Sequence, residues 1–184
     1  VSDRNGTSAC AQTTIVTPRD GTFACQVLKS SEPPYLLRVV FPSGARRPMF
    51  SFRDAAPGPG NSAVVNITTL TTAILRQLAP ENDLLALNAD PTLIVPAALA
   101  DLVAKVLTQV AATRTALNLP ADYSPFTTPI VAATVDQAGN APDLLLDLIQ
   151  IGAVNGQDYI YTLDDPDGAV PLAGPATVTP GVLP

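Results

Sequence analysis

The stretch Pro96-Ala97-Ala98-Leu99-Ala100-Asp101-Leu102-Val103-Ala104-Lys105-Val106-Leu107-Thr108-Gln109-Val110 decides the fold class. Leu99, Leu102, Val103, Val106 and Val110, continued by Leu117, recur at three- and four-residue steps. That spacing puts them on one stripe of a helix about six turns long. Asp101, Lys105, Gln109 and Arg114 fall on the other faces. Proline suits the first helical position, so Pro96 is expected to start the helix and Pro120 to end it. A membrane span needs ~20 mostly apolar residues, and the polar interruptions exclude one here.

Working outward, the same period recurs upstream in Leu70, Ile74 and Leu78, with Thr68 or Thr69 as the N-terminal cap. Residues 82–89 read as a short helix. Downstream, Asn140 is placed to cap a further helix. Asp143 falls in its first turn, where the helix dipole favours an acid, and Leu145, Leu148 and Ile149 are its expected buried face. Residues 64–150 are therefore expected to be mainly helical. Their predicted core is Leu70, Ile74, Leu78, Leu99, Leu102, Val103, Val106, Val110, Leu145 and Leu148.

Residues 55–63, rich in Pro and Gly, read as a linker. Before it, residues 1–54 read as short strands. Asp3, Asn5 and Gly6 mark a turn, residues 9–16 a Thr-rich strand, and Arg19-Asp20-Gly21 a second turn. Residues 23–28 form a further strand. The sequence Tyr35-Leu36-Leu37-Arg38-Val39-Val40-Phe41 is the strongest strand, with residues 49–52 as its partner. Closely spaced strands of this kind predict a β-sandwich or a piece of one. At the other end, Asn155-Gly156 is a hairpin turn joining 149–154 to 159–163. The fold class is α+β, with 151–168 as hairpin and loop and 169–184 as an extended tail.

Composition narrows the chemistry. The chain has 184 residues, 47% hydrophobic and 14% charged, and contains no histidine or tryptophan. Disorder needs the opposite balance. Without histidine there is no Ser-His-Asp triad, no Cys-His pair and no histidine-ligated metal. The expectation is a non-enzyme with no cofactor and no metal. Residues 1–54 hold seven basic and four acidic residues, net +3, and the remainder three and twelve, net −9. One region can thus attract the other across a contact. The overall acidity argues against nucleic acid.

The two cysteines, Cys10 and Cys25, fall in neighbouring predicted strands and are expected to form a disulfide, which implies an oxidising compartment. The segment opens Val1-Ser2-Asp3-Arg4-Asn5 and shows no export signal of its own. The expectation is a signal removed from, or lying outside, this sequence.

The run Gly60-Asn61-Ser62-Ala63-Val64-Val65-Asn66-Ile67-Thr68-Thr69-Leu70-Thr71-Thr72 resembles a signature of exported bacterial surface proteins and lipoproteins. In that family a carboxypeptidase-regulatory-like (transthyretin-like) β-sandwich precedes an α-helical region. Here Thr69 stands where the family usually has proline. Asp3-Arg4-Asn5-Gly6-Thr7, Thr13-Thr14 with Asp20-Gly21-Thr22-Phe23, Pro34-Tyr35-Leu36-Leu37-Arg38-Val39, Pro125-Phe126-Thr127-Thr128 and Asp143-Leu144-Leu145-Leu146-Asp147 extend the resemblance in order. It implies an extracellular or surface location and an Ig- or transthyretin-like sandwich over 1–54. The family's opening strand is missing before Asp3, and a similar segment, Gly168-Ala169-Val170-Pro171-Leu172-Ala173-Gly174-Pro175-Ala176-Thr177-Val178, stands at the far end. The tail is therefore expected to pair with the sandwich of 1–54, donated to a neighbouring copy. Val170, Leu172, Ala173, Ala176 and Val178 are the donor residues and Ala24, Val27, Leu36, Val39 and Phe41 the acceptors. The partner is then the chain itself. A monomeric surface module binding a glycan or a protein is the alternative.

Other motifs read more plainly. Asp164-Asp165-Pro166-Asp167-Gly168 has calcium-loop spacing but lacks the distal glutamate, and is read as an acidic turn. Asp143 and Asp147 are read as a solvated helix face. Asn5-Gly6-Thr7 and Asn66-Ile67-Thr68 match the glycosylation pattern but are read as a turn and a helix start. Tyr123, Phe126, Tyr159 and Tyr161 are read as packing residues before a sugar-stacking surface.

Overall fold

The computed structural model describes residues 1–12, 15–17, 21–42, 44, 46–154, 157–163 and 165–174. Within them the chain runs β1 (Tyr35–Val39), β2 (Met49–Arg53), α1 (Thr69–Leu78), α2 (Leu84–Ala89), α3 (Pro96–Gln109), α4 (Ala111–Ala116), α5 (Ala141–Leu148), β3 (Ile149–Val154), β4 (Gln157–Thr162) and β5 (Asp165–Pro171). The fold is mixed α and β, with β1 antiparallel to β2 and β3-β4-β5 a second antiparallel sheet.

The first three residues of β1, Tyr35 to Leu37, are apolar without alternation because both faces of the strand are covered there. Leu36, with Phe50 and Phe52 across the sheet, enters the main core beside Leu70, Ile74, Leu75, Leu102, Val106 and Leu145. Tyr35 and Leu37 face a second cluster with Ala9, flanked by Val1, Phe23, Val27, Val65 and Ile67. Residues 1–54 and the helices therefore share one core across the exposed, Pro- and Gly-rich segment between β2 and α1.

The threonine-rich start of α1 has two functions. Thr68 caps it, accepting from the Thr71 N–H at 3.1 Å, while its own N–H donates to Thr71 Oγ1 at 2.9 Å. This is a capping box with threonine in the usual Glu/Gln position. The next contacts close a sheet edge: the Phe50 N–H donates to Thr72 Oγ1 at 2.9 Å, and Thr71 Oγ1 lies 2.9 Å from the Phe50 carbonyl. Two buried hydroxyls thus stand where a third strand would pair with β2.

Among the described residues, the strands expected at 9–16 and 23–28 are reduced to isolated contacts. Ser2 bridges Ser8 and Leu36, and Cys10 bridges Val27. The disulfide Cys10–Cys25 ties this unit together. Closing such a loop contributes about 3 kcal/mol by chain-entropy reckoning. The described part of 11–17 is largely exposed, with Val16 turned to solvent, so it has too little apolar surface to hold a continuous strand.

The stripe expected to form one helix of about six turns is divided between α3 and α4. The break falls at Val110, whose φ of −105° and ψ of 22° leave the helical region. Thr108 Oγ1 donates back to the Ala104 carbonyl, a bond that bends helices, and Arg114 Nη1 reaches the freed Leu107 carbonyl. The break turns Val110 inward, leaving it 3% exposed. The following helix ends at Ala116, and Asn118, not Pro120, closes it. Asn118 takes φ 52°, with the Leu119 N–H on the Arg114 carbonyl and the Asn118 N–H on the Thr115 carbonyl. That is a Schellman close with asparagine in the left-handed position.

Of the predicted core, Leu70, Ile74, Leu102, Val106, Val110 and Leu145 are buried, and Leu78, Leu99 and Val103 pack against them. Leu148 is exposed instead, because α5 stops there and the chain turns into β3. Both strands of the hairpin predicted around Asn155-Gly156 are present, paired from Ile149↔Thr162 to Val154↔Gln157. The two turn residues lie outside the described residues.

Candidate functional site

The tail docks on its own chain. The strand β5 runs antiparallel to β4, with Ile160 opposite Val170 and Tyr159 opposite Pro171. Beyond it, the Leu172 N–H donates to the Asp158 carbonyl at 2.8 Å. The bonded pairs of the ladder are then Asp158 with Leu172 and Ile160 with Val170. Pro171 falls between them and faces outward, so its missing N–H costs the ladder nothing. Its outward carbonyl accepts from Gln109 Nε2 at 2.7 Å, and the Ala173 N–H donates to Gln109 Oε1 at 3.0 Å. One glutamine amide, set at the end of α3 by the helix break, offers a donor and an acceptor as a neighbouring strand would. Leu172 itself is 2% exposed and belongs to the main core.

Beneath the tail lies a buried charge. Asp158 on β4 is 1% exposed and pairs with Arg76 Nη1 at 3.2 Å. Its other oxygen accepts from Gln77 Nε2 at 3.1 Å. The last turn of α1 is thereby fixed to the strand that receives the tail. An arginine also suits this end of α1, where the helix dipole is negative.

The predicted donor residues divide. Val170 is paired on β4, Leu172 is buried, and Ala173 is held by Gln109, while Ala176 and Val178 lie outside the described residues. Within the chain this segment lies on the C-terminal sheet, not on residues 1–54. The predicted acceptors are not brought together as one edge. Leu36 is fully buried in β1, Val39 is half-buried, Ala24 is exposed, Val27 bridges Cys10, and Phe41 lies 5.8 Å (ring centroid) from the Arg46 guanidinium.

Other sequence candidates resolve into structural roles. Asn66 Nδ2 donates to the Thr128 carbonyl at 2.7 Å and the Pro125 carbonyl at 3.2 Å, so this amide clamps the 124–128 loop. Its burial leaves no room for a glycan. In the Asn5-Gly6-Thr7 turn, Gly6 takes φ 70°. Asp3 accepts from the Asn5 and Thr7 N–H groups and from the Thr7 hydroxyl. Burial of Asp3 opposes its ionisation, but these hydrogen bonds outweigh it and hold the carboxyl below its ordinary range. Asp143 accepts from the Ala133 N–H, whereas Asp147 is exposed. Asp165 and Asp167 lie in a strand, not in a turn. Among the described residues there is no cluster of three or more Cys, Asp or Glu suited to a metal.

Tyr123 and Phe126 are buried, and Tyr159 and Tyr161 are half-buried. Burial pushes the Tyr123 hydroxyl up to about 12, against a smaller opposing pull from Arg114. A raised phenol favours the neutral form in the fold, so stability is full below pH ~10 and falls as pH rises toward 12. The loss is on the order of 2–3 kcal/mol. Urea melts of the wild type between pH 9 and 12 should show it, and Tyr123→Phe should flatten that dependence. An unchanged slope in the variant would place the alkaline sensitivity elsewhere.

The sequence assigns no contact to Gln109 or Asp158, and marks Asn66 only as part of a glycosylation pattern at a helix start. Each is an isolated polar residue whose partners lie at least 59 positions away. No helix in the described residues is long and apolar enough to cross a membrane. Compared with family models, curated proteins and solved structures, the chain matches none of them.

Proposed function

We propose that this chain is an exported structural subunit that assembles head-to-tail by exchanging its C-terminal strand, β5 and the residues after it, with a neighbouring copy. The observation that carries this reading is the built acceptor for that strand: the β4 edge, the Gln109 amide and the buried seat of Leu172. A neighbour's strand satisfies the same contacts as the chain's own, which is the energetic basis of domain swapping. Only Leu163 and Asp164 link β4 to β5, and short links favour exchange over closure. The acceptor in this reading is β4, not the predicted set in 1–54. The disulfide and the resemblance of Gly60-Asn61-Ser62 onward support export, and the apolar cover on both faces of β1 fits a reduced transthyretin-like sandwich.

The test locks the strand at home. Tyr159 and Pro171 face each other across a non-bonded pair of the ladder, the closer kind of site, so Tyr159→Cys with Pro171→Cys should form an intrachain disulfide. Wild-type protein at micromolar concentration should form fibres under negative stain. At that concentration the oxidised lock should form no fibres, and reduction should restore them. Equal fibre formation by the oxidised lock would end the exchange reading.

A further inference from the structure

We infer that a second copy docks by inserting the loop tip Val135-Asp136 into the arginine-lined cleft between β2, α1 and β3. The inference rests on the self-assembly reading but needs no exchanged strand. The cleft has a volume of about 250 Å³ and is lined by Arg46, Arg47 and Arg76 together with Phe41, Met49 and Ile151. Arg76 is already paired with Asp158. Among the described residues Arg46 and Arg47 have no ion-pair partner, so the cleft carries uncompensated positive charge beside an apolar floor. A second cleft, about 310 Å³, carries one base and one acid, Arg53 and Asp54, and has no such bias.

The wall of the cleft also offers backbone. The Leu163 N–H on the Leu148 carbonyl fixes the phase of the β3–β4 ladder, so Gln150 and Gly152 bond to β4 while Ile151 faces outward. Among the described residues its N–H and carbonyl have no partner. The cleft thus presents charge, apolar surface and an open strand edge together.

The complementary part is a braced finger, residues 131–139, standing in front of α5. Asn140 closes its base: its N–H donates to the Val131 carbonyl at 3.0 Å, and its side-chain oxygen accepts from the Val131 N–H at 3.1 Å. Higher up, the Ala133 N–H donates to Asp143 Oδ2 at 2.9 Å, and the Thr134 N–H to the Gln137 carbonyl at 2.8 Å. Gly139 leaves the space that the Asp143 carboxylate fills, since a Cβ there would collide with it. At the tip of this held loop Val135 is 102% exposed, and Asp136 follows it, also exposed. A fully exposed valine on an internally bonded loop, next to an acid, matches a cleft with an apolar floor and two arginines that no carboxylate among the described residues neutralises. Finger and cleft are different surfaces, so the contact is heterologous and propagates from copy to copy.

The experiment uses the oxidised Tyr159→Cys/Pro171→Cys protein, in which strand exchange is blocked, and reads association by sedimentation at high micromolar concentration. The locked protein should self-associate weakly, and added salt should weaken that further. Asp136→Arg and Arg47→Asp should each reduce association about tenfold, because each sets like charges against one another. Mixing the two single variants, or combining both changes in one chain, should restore it. Gly139→Ala, which displaces Asp143 and loosens the finger, should weaken association while leaving the thermal transition of the core nearly unchanged. Absence of association in the locked protein, or a charge swap that fails to rescue, overturns the docking. Loss of wild-type fibres together with intact docking would instead overturn strand exchange.

Discussion

Replacing Asp158 by alanine is expected to destabilise the fold by about 3–5 kcal/mol, the cost of leaving one half of a buried ion pair without the other. Asp158 is 1% exposed and holds both Arg76 and Gln77, so its loss leaves the Arg76 guanidinium, itself largely covered, facing an emptied site. The same change detaches the last turn of α1 from β4. Chemical denaturation of the variant against the wild type measures the effect directly. A companion variant, Asp158→Leu with Arg76→Met, separates charge from packing. Burying two ions costs as much as their attraction returns, so this apolar pair should recover most of the loss. A penalty below about 1 kcal/mol for Asp158→Ala would mean that water reaches the pair and screens it.

The second large effect concerns Leu172. Truncating it to alanine should cost about 2–5 kcal/mol, the usual range for a buried leucine whose site cannot collapse. Leu172 is 2% exposed, and the backbone on either side of it is fixed by Asp158 and Gln109, so little relaxation is available. The same variant should weaken any exchanged strand in proportion, because the seat and the plug are the same in both arrangements. Hydrogen exchange offers a local readout: amides of β4 and β5 should lose protection first, while those of α3 keep theirs. Uniform loss of protection across the molecule would show that the tail is inseparable from the core.

Much of the architecture follows from local pattern. The helical period placed the stripe of α3, the threonine cap of α1 and the Asn140 cap of α5, because these depend on neighbours three or four residues away. The hairpin of β3 and β4 follows from a two-residue turn signal, and the cysteine pairing from two thiols in adjacent extended segments. Where the reading failed, a distant partner intervened. The helix breaks at Val110 because burying that valine and bonding Arg114 to Leu107 offset the lost helical bonds. The N-terminal strands shrink to single bridges because their Thr-rich stretch has little to bury.

The mixed α and β class, the main core stripe and the caps were legible in the residues alone, since each is a matter of composition or short-range spacing. Only the tertiary structure decided where the tail lies. Its alternating apolar residues fit any open edge, and backbone hydrogen bonds do not distinguish one strand from another. The choice rested on long-range side-chain contacts: Gln109 placed by a helix break, Leu172 entering a core built from residues of both sheets and four helices, and Asp158 fixed from below by Arg76. Those contacts join residues far apart in the chain, and their geometry exists only after the core has formed.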